Sequence, residues 1–389
     1  MSLFERAAAL VPPTELDLGL EADLGHALIW TGRGDDALRR ADALAERASA
    51  AGDRVAELCG RVQGGVLRLT LEPDGAAEKL SALVEQALPV FQRAGDDLAL
   101  YVVYSALSDV AWLRAQMEAH LEAGEQAFVY AQRAGHLPPA LVATRAAARF
   151  FGTTPVSELF SWLDQNEPQA GRDHFFRAYR AGTLAMLGRF DEARTILAAE
   201  RAELAERGGG VLLANITAFE SLWVELWAGD PAAAVEFGSE GWRLYMELGE
   251  QTNLPLAAGT LAQALYALDR LDEADAWAGR GAERGTSDDA WKEMLWRQVK
   301  AKVLARRGEH AEAELLAHEA VAICDKTDLL DAQGDVYADL AEVLVLTGKP
   351  TEAASALEQA LERYKRKGNL VSTQRAQARL AELRAAAPR

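Results

Sequence analysis

The sequence predicts an all-α protein: a right-handed α-solenoid of about nine helix hairpins, each about 40 residues long, ended by a capping helix. Three observations predict it. About one residue in five of the 389 is alanine, and Leu, Glu and Arg are also abundant; these are the strongest helix formers. Runs of alternating Val, Ile, Thr and Tyr, which would mark strands, are missing. A turn followed by a helix start recurs at a nearly fixed interval along the chain, the signature of a repeat array.

The interval is read from five stretches: Leu187 to Ala193, Ala228 to Ala234, Leu268 to Ala274, Arg307 to Ala313 and Thr347 to Ala353. The turn residue falls at 188, 229, 269, 308 and 348, in steps of 41, 40, 39 and 40. Weaker copies lie at Gly152, Arg114 and Glu72, and a clear one at Gly32. A glycine just past a helix end takes the left-handed conformation that closes the helix. An acidic residue or proline follows, suited to the first turn of the next helix. Alanine stands five residues after the turn because two helices of a hairpin cross closely there.

The elements follow in order. Residues 1–12 read as a partial or capping helix. The repeat units are 14–52, 53–95, 96–135, 136–170, 171–209, 210–250, 251–286, 287–327 and 328–368, and 369–386 is the capping helix. First helices carry apolar residues at helical spacing, as in Leu261, Ala262 and Leu265 or Tyr337, Leu340, Ala341 and Leu344. Gly52, Gly95, Gly135, Gly249, Gly285 and Gly368 mark the turns between units. The pattern is weak around 60–75 and 138–170. Gly64 and Gly65 fall inside a predicted helix, and Pro138, Pro139 and Pro155 interrupt the fourth unit, so irregular or shorter helices are expected there. No linker and no separate second domain is evident. Phe4 to Leu10 reads like the tail of a second helix without its partner, so the chain is either a piece of a longer polypeptide or begins with a degenerate cap.

Lys plus Arg is 41 and Asp plus Glu is 59, a formal charge of −18. That balance excludes a general nucleic-acid binder, which needs a basic face for phosphates, and a binder of anionic membranes. The two cysteines, Cys59 and Cys324, lie far apart in sequence and cannot form a disulfide framework or a four-cysteine zinc site. No leader is evident at the start, and no window holds about 18 uninterrupted apolar residues. The expected place is the cytoplasm.

The repeat is the pattern of a tetratricopeptide-like helical hairpin stretched from 34 to about 40 residues. The stretch Trp296 to Asn369 carries a more specific resemblance. It contains Val303-Leu304-Ala305-Arg306-Arg307-Gly308-Glu309-His310-Ala311-Glu312-Ala313-Glu314, then Ala317, Glu319-Ala320-Val321, Asp339 to Leu344 and Tyr364 to Asn369. This resembles the C-terminal tetratricopeptide region of large bacterial signalling proteins of actinobacterial type. There, a nucleotide cyclase or a DNA-binding domain joins an NTPase, and the helical array closes the chain. The resemblance implies a sensing or docking role beside such an attached domain. It transfers no functional residue, because the family has no catalytic motif in this region.

Motifs for chemistry are weak. Gly32-Arg33-Gly34-Asp35-Asp36-Ala37 matches a dinucleotide fingerprint but follows a predicted helix, where the motif needs a strand. Gly348-Lys349 lacks the earlier glycine and the Ser or Thr of a phosphate loop. Gly238-Ser239-Glu240-Gly241 is one residue short of a nucleophile elbow. His310, Glu314 and His318 share a helix face and could hold zinc, but on a second helix whose outer side is usually solvated. His26 and His174 read as packed or groove residues. Lys292, Lys300, Lys302, Arg306 and Arg307 read as a basic cluster on a solvated face beside acidic neighbours. Lys365, Arg366 and Lys367 oppose a helix dipole. No catalytic residue, cofactor or metal is assigned.

What remains is the concave groove, built mostly by first helices. Aligning each first helix on its turn residue gives the binding candidates His26, Tyr101, Tyr104, Arg149, Phe175, Phe219, Trp223, Gln263, Tyr266, Gln298 and Lys302. The aromatic members either offer contact area to a ligand or pack between helices. The expected function is a non-catalytic interaction or effector-sensing module that takes a protein or peptide segment, or a small effector, in the groove. It would form the regulatory part of a bacterial signal-transduction or transcription-regulatory protein. The alternatives are a free-standing scaffold for partner segments and, remotely, an enzyme with an unrecognised site. An enzyme would require convergent polar groups in a closed pocket.

Overall fold

A computed structural model describes residues 18–30, 32–138, 140–283 and 289–386. All regular structure among them is helical: α1 (Leu18–Trp30), α2 (Gly34–Ala51), α3 (Arg54–Leu71), α4 (Ala76–Ala94), α5 (Asp97–Leu113), α6 (Met117–Arg133), α7 (Ala140–Phe151), α8 (Val156–Ala170), α9 (His174–Met186) and α10 (Phe190–Glu206). There follow α11 (Gly210–Ala228), α12 (Pro231–Leu248), α13 (Leu254–Ala267), α14 (Leu271–Glu283), α15 (Ala290–Arg307), α16 (His310–Cys324), α17 (Leu330–Leu346), α18 (Pro350–Lys367) and α19 (Leu370–Ala386). The expected segment 1–12, Pro139, the turn glycine Gly285 and the His26 side chain lie outside the described residues.

The turns are built alike. Gly188, Gly229, Gly308 and Gly348 have φ of 80, 81, 84 and 81°. At each, the glycine N–H and the next N–H donate back into the preceding helix, as Gly308 does to Ala305 and Glu309 to Leu304, at 3.1 and 2.9 Å. This is the Schellman closure, which satisfies carbonyls a helix end would leave bare. Asp269 takes the same role without glycine, at φ 60°. Five residues on, Ala193, Ala234, Ala274, Ala313 and Ala353 are all fully buried. The small residue lets the two helices of the hairpin approach, as expected from sequence. Asp53, Asp173, Asp230 and Asp289 cap α3, α9, α12 and α15 by accepting backbone N–H bonds of 2.9 to 3.2 Å.

One sequence expectation changes here. Helix α3 runs unbroken through Gly60, Gly64 and Gly65, not irregularly. The glycines are contact points: a Cβ on Gly60 would sit 2.7 Å from the Ala45 backbone nitrogen. In the stretch 138–170, α7 is short, at 12 residues, while α8 continues through Pro168 in its last turn.

The helices form two compact units. The first takes the chain up to Leu113 and Ala119–Arg145. Its core joins Leu58, Val62, Leu80, Val84, Phe91, Leu100 and Val103. Inside it, Ser108 and His120 are hydrogen-bonded at 2.8 Å, and burial pushes His120 down to about 4.

The second unit takes Arg114–Glu118 and the chain from Ala146 on. Its cores run through α9 to α11, α13 to α15 and α15 to α19. Within this unit the last helices meet the first ones. Lys367, at the end of α18, is fully buried. Its Nζ donates to the carbonyls of Arg149, Gly152 and Thr154 at 2.9, 2.7 and 3.0 Å. Arg375 of α19 donates to the carbonyls of Leu226 and Trp227 at 3.1 and 2.7 Å, and α19 also packs against α9. Lys367 thus does more than oppose the helix dipole: its three N–H groups are matched by three carbonyls that would otherwise be bare. Helix α11 is apolar and long enough to cross a membrane by composition, but 67% of that window is buried in the fold, with Glu220 and Glu225 buried inside it. A π-turn at Thr217–Ser221 interrupts it.

Candidate functional site

Because the second unit closes on itself, its inner wall surrounds a cavity of about 690 Å³. The wall is made by first helices, as the alignment on turn residues anticipated, with α19 added to them. Helices α7, α9 and α11 give Phe150, Phe151, Met186, Trp223 and Trp227. Helices α13 and α15 give Thr260, Gln263, Tyr266, Trp291, Met294, Gln298 and Lys302. Helix α17 gives Asp331, Asp335, Asp339 and Glu342, and α18 and α19 give Tyr364, Arg375 and Arg379.

One region is aromatic. Phe151 is its hub, with edge-on contacts to Phe150 (4.8 Å between centroids), Trp291 (5.0 Å), Tyr179 (5.7 Å) and Trp223 (6.0 Å). Such T-shaped pairs set the positive edge of one ring on the negative face of another.

The other region is acidic. Asp331, Asp335 and Asp339 recur every four residues, so they share one face of α17. Lys302 donates to Asp339 at 2.7 Å and lies 4.7 Å over the Tyr266 ring. Tyr266 donates to Glu342 at 2.5 Å and Tyr364 to Asp335 at 2.6 Å. Asn369 donates to both oxygens of Asp331, at 2.9 and 3.1 Å. Burial pushes the carboxyls of Asp331, Asp335 and Asp339 upward, and at Asp335 the neighbouring Asp331 adds to it. Burial pulls the Lys302 ammonium down, but Asp339, Glu342 and Asp335 outweigh it and hold it above its ordinary value.

Trp223, Gln263, Tyr266, Gln298 and Lys302 of the sequence candidates thus lie on one cavity wall. The others are elsewhere. Tyr101 and Tyr104 pack on the core of the first unit, Tyr104 stacked on Tyr130 at 5.4 Å. Arg149 lies over Trp162 at 4.4 Å and Phe175 stacks on Tyr179 at 6.1 Å. Phe219 is buried between Trp223 and Tyr245. The predicted basic cluster is neutralised in place: Lys292 pairs with Asp289, Lys300 with Asp275, Arg306 with Asp269, and Arg307 with Asp272 and Asp275. Lys302 is buried rather than solvated. Sequence reasoning missed Phe151, Trp291 and the three aspartates. The four-residue spacing of the aspartates on a first helix was the available signal.

Elsewhere in the second unit, His174, Glu200 and Glu203 bring possible ligand atoms within 4.8 Å of one another. The carboxylates are already engaged. His174 and Arg177 bind Glu200 at 2.6 and 2.8 Å, and Arg207 pairs with Glu203 at 2.7 Å. Glu314 of the His310, Glu314 and His318 row is taken by Lys349 at 2.6 Å. Gly32 follows helix α1, and Gly238 and Gly241 lie inside α12 packed on α11, so neither motif has the strand it would need. Both thiols are buried, and burial pushes Cys324 up to about 12.

Residues 293–366 match the profile of the tetratricopeptide repeat family. The fold is that of a tetratricopeptide-like helical repeat protein. No curated protein sequence matches the chain. Among solved structures, a Rap protein complexed with Competence and Sporulation Factor is similar with a TM-score of 0.63 and 13% identity, over 95% of this chain and 100% of that one. NprR in complex with its cognate peptide NprX gives 0.57 and 13%, over 89% and 99%. The human IFIT1 dimer with m7Gppp-AAAA gives 0.56 and 12%, over 98% and 84%. Identities this low show a shared fold and no more.

Proposed function

We propose that this chain is a non-catalytic binding module whose ligand, a short peptide segment or a small effector, occupies the cavity of the second unit. It acts in the cytoplasm as the regulatory part of a bacterial signal-transduction or transcription-regulatory protein. The observation that carries the reading is the cavity: about 690 Å³, walled by six successive first helices and covered by α19. That volume lies in the range that buries most of a drug-sized ligand. Because α19 joins the two ends of the wall, a ligand that spans the cavity stabilises the closed arrangement. This couples occupancy to the curvature of the helix stack. The cognate peptide bound by NprR supports the same class of ligand by analogy of fold.

An enzyme reading draws on one observation, the convergence of buried carboxyls in the same cavity. Against it, each carboxyl already has a structural partner: Asn369 for Asp331, Tyr364 for Asp335 and Lys302 for Asp339.

The test is a thermal-shift screen of a short-peptide pool and a metabolite set against the whole chain, repeated with Gln263→Trp, which fills the cavity. A true ligand raises the Tm of the native protein by mass action and leaves that of the filled variant unchanged. Hits that shift both proteins equally would place binding outside the cavity, as expected of a plain scaffold. Chemical conversion of a hit would favour the enzyme.

A further inference from the structure

The charged groups facing the cavity are unevenly matched. Asp331, Asp335, Asp339 and Glu342 stand on α17, opposite Lys302 on α15 and Arg375 and Arg379 on α19. Lys302 is taken by Asp339. Arg375 directs two of its N–H groups to the carbonyls of Leu226 and Trp227, and Arg379 pairs with Glu382 at 3.0 Å. Lys367, the cation acting on Asp331 from behind the wall, is bound to three carbonyls. Asp331 and Asp335 are therefore hydrogen-bonded by neutral donors alone, the Asn369 amide and the Tyr364 hydroxyl, with Lys302 acting on Asp335 only through space. A buried carboxylate without a cation is costly, and an arriving positive charge removes that cost.

A second observation points to a ligand independently. Gln298 lines the same cavity and is 5% exposed, and no hydrogen bond ties its amide to another described side chain, so the amide is open to the cavity. An amide open to a cavity, on a side chain otherwise buried, is offered to whatever occupies that cavity.

We propose that the cavity takes an organic cation, with its ammonium or guanidinium group against Asp331, Asp335 and Gln298 and its apolar part among Phe151, Trp223 and Trp291. The inference rests on the binding role proposed above and names the ligand class for it. The apolar region suits an aromatic or branched group, because rings already meet edge to face around Phe151. The same chemistry is offered by a free amine and by a basic residue beside an apolar one in a peptide.

Calorimetric titration of the whole chain separates these. One arm uses phenethylamine, phenethyl alcohol and phenylacetate. The other uses acetyl-Phe-Lys-amide and its Gln and Glu counterparts. The cation of each set is expected to bind at least about tenfold tighter than its neutral and anionic partners, the equivalent of one well-placed charge contact. The tighter arm identifies the source. Asp335→Asn is expected to reduce that preference to about threefold or less. Gln298→Leu serves as a second variant that leaves the α17 hydrogen bonds in place, and it should weaken the cations about tenfold. Circular dichroism melts check that both variants fold. Neutral or anionic probes binding as tightly as the cations would overturn the cation preference and leave the binding role standing. Absence of heat from all six probes would overturn both.

Discussion

At the scale of single residues, glycine serves two purposes in this chain, and they differ in cost. Gly308 closes α15 at φ 84°, and no atom lies within 4 Å of where its Cβ would be. Gly308→Ala is expected to cost about 1 kcal/mol, the conformational penalty alone. Gly241 has ordinary helical φ, but its Cβ would lie 2.5 to 2.7 Å from Ala218 in the π-turn of α11. Gly241→Ala must push two helices apart. It is expected to cost about 2 to 3 kcal/mol, the range of overpacked cores. Urea unfolding of both variants checks the order; equal losses would mean the backbone yields at Gly241. The turn glycines were readable from sequence, because a left-handed residue at a helix end is a local requirement. The packing role of Gly60, Gly238 and Gly241 was not, because it depends on which helix lies opposite.

At the scale of elements, the end of α18 and the helix α19 hold the second unit closed. Burial pushes Lys367 down to about 7, and Asp331 acts the other way. Lys367→Met keeps much of the stem but leaves the carbonyls of Arg149, Gly152 and Thr154 without their donor. A loss of about 3 kcal/mol is expected. Hydrogen exchange should show amides of 370–386 opening first, whereas amides of the first unit keep their protection. Uniform loss of protection across the chain would show that Lys367 supports folding in general rather than this closure. From sequence, Lys365, Arg366 and Lys367 looked alike, since all three suit a helix C-terminus. Only the buried position of Lys367, against exposure of Lys365 and Arg366, separates them.

At the scale of the whole molecule, buried titratable groups set the response to pH. Burial pushes Glu220 up to about 8 and Asp109 up to about 7. Each is protonated in the folded chain and ionised in the unfolded one between its ordinary value and the raised one. Their contribution to stability is therefore full below about pH 4 and is lost as pH rises through about 7 and 8. His120, pushed down to about 4, works in the opposite direction between there and 6.5. Single substitutions separate the groups. The stability of Glu220→Gln relative to the native chain should improve steadily from about pH 4.5 to 8 and then level, followed by urea unfolding at each pH. A flat difference across that range would mean Glu220 is ionised in the folded state.

How much of the site was legible follows from the same distinction of range. Trp223, Gln263, Tyr266, Gln298 and Lys302 were reachable because each sits at a fixed offset from its own turn, and inward-facing positions repeat with the hairpin. Tyr101, Tyr104, Phe175 and Phe219 have similar offsets but meet neighbouring rings and side chains in the structure. Aromatic side chains follow burial, and burial is decided by whatever comes to lie opposite.

The amino-acid sequence by itself determined the helices, their turns and the buried alanine crossings. These depend on helical period and backbone conformation over a few residues. The three-dimensional structure alone decided that the inner wall closes into a cavity and that carboxyls and rings share it. Lys367 and Arg149 meet although 218 positions separate them. Their meeting sums the small rotations of all the hairpins between them, a quantity no local pattern records.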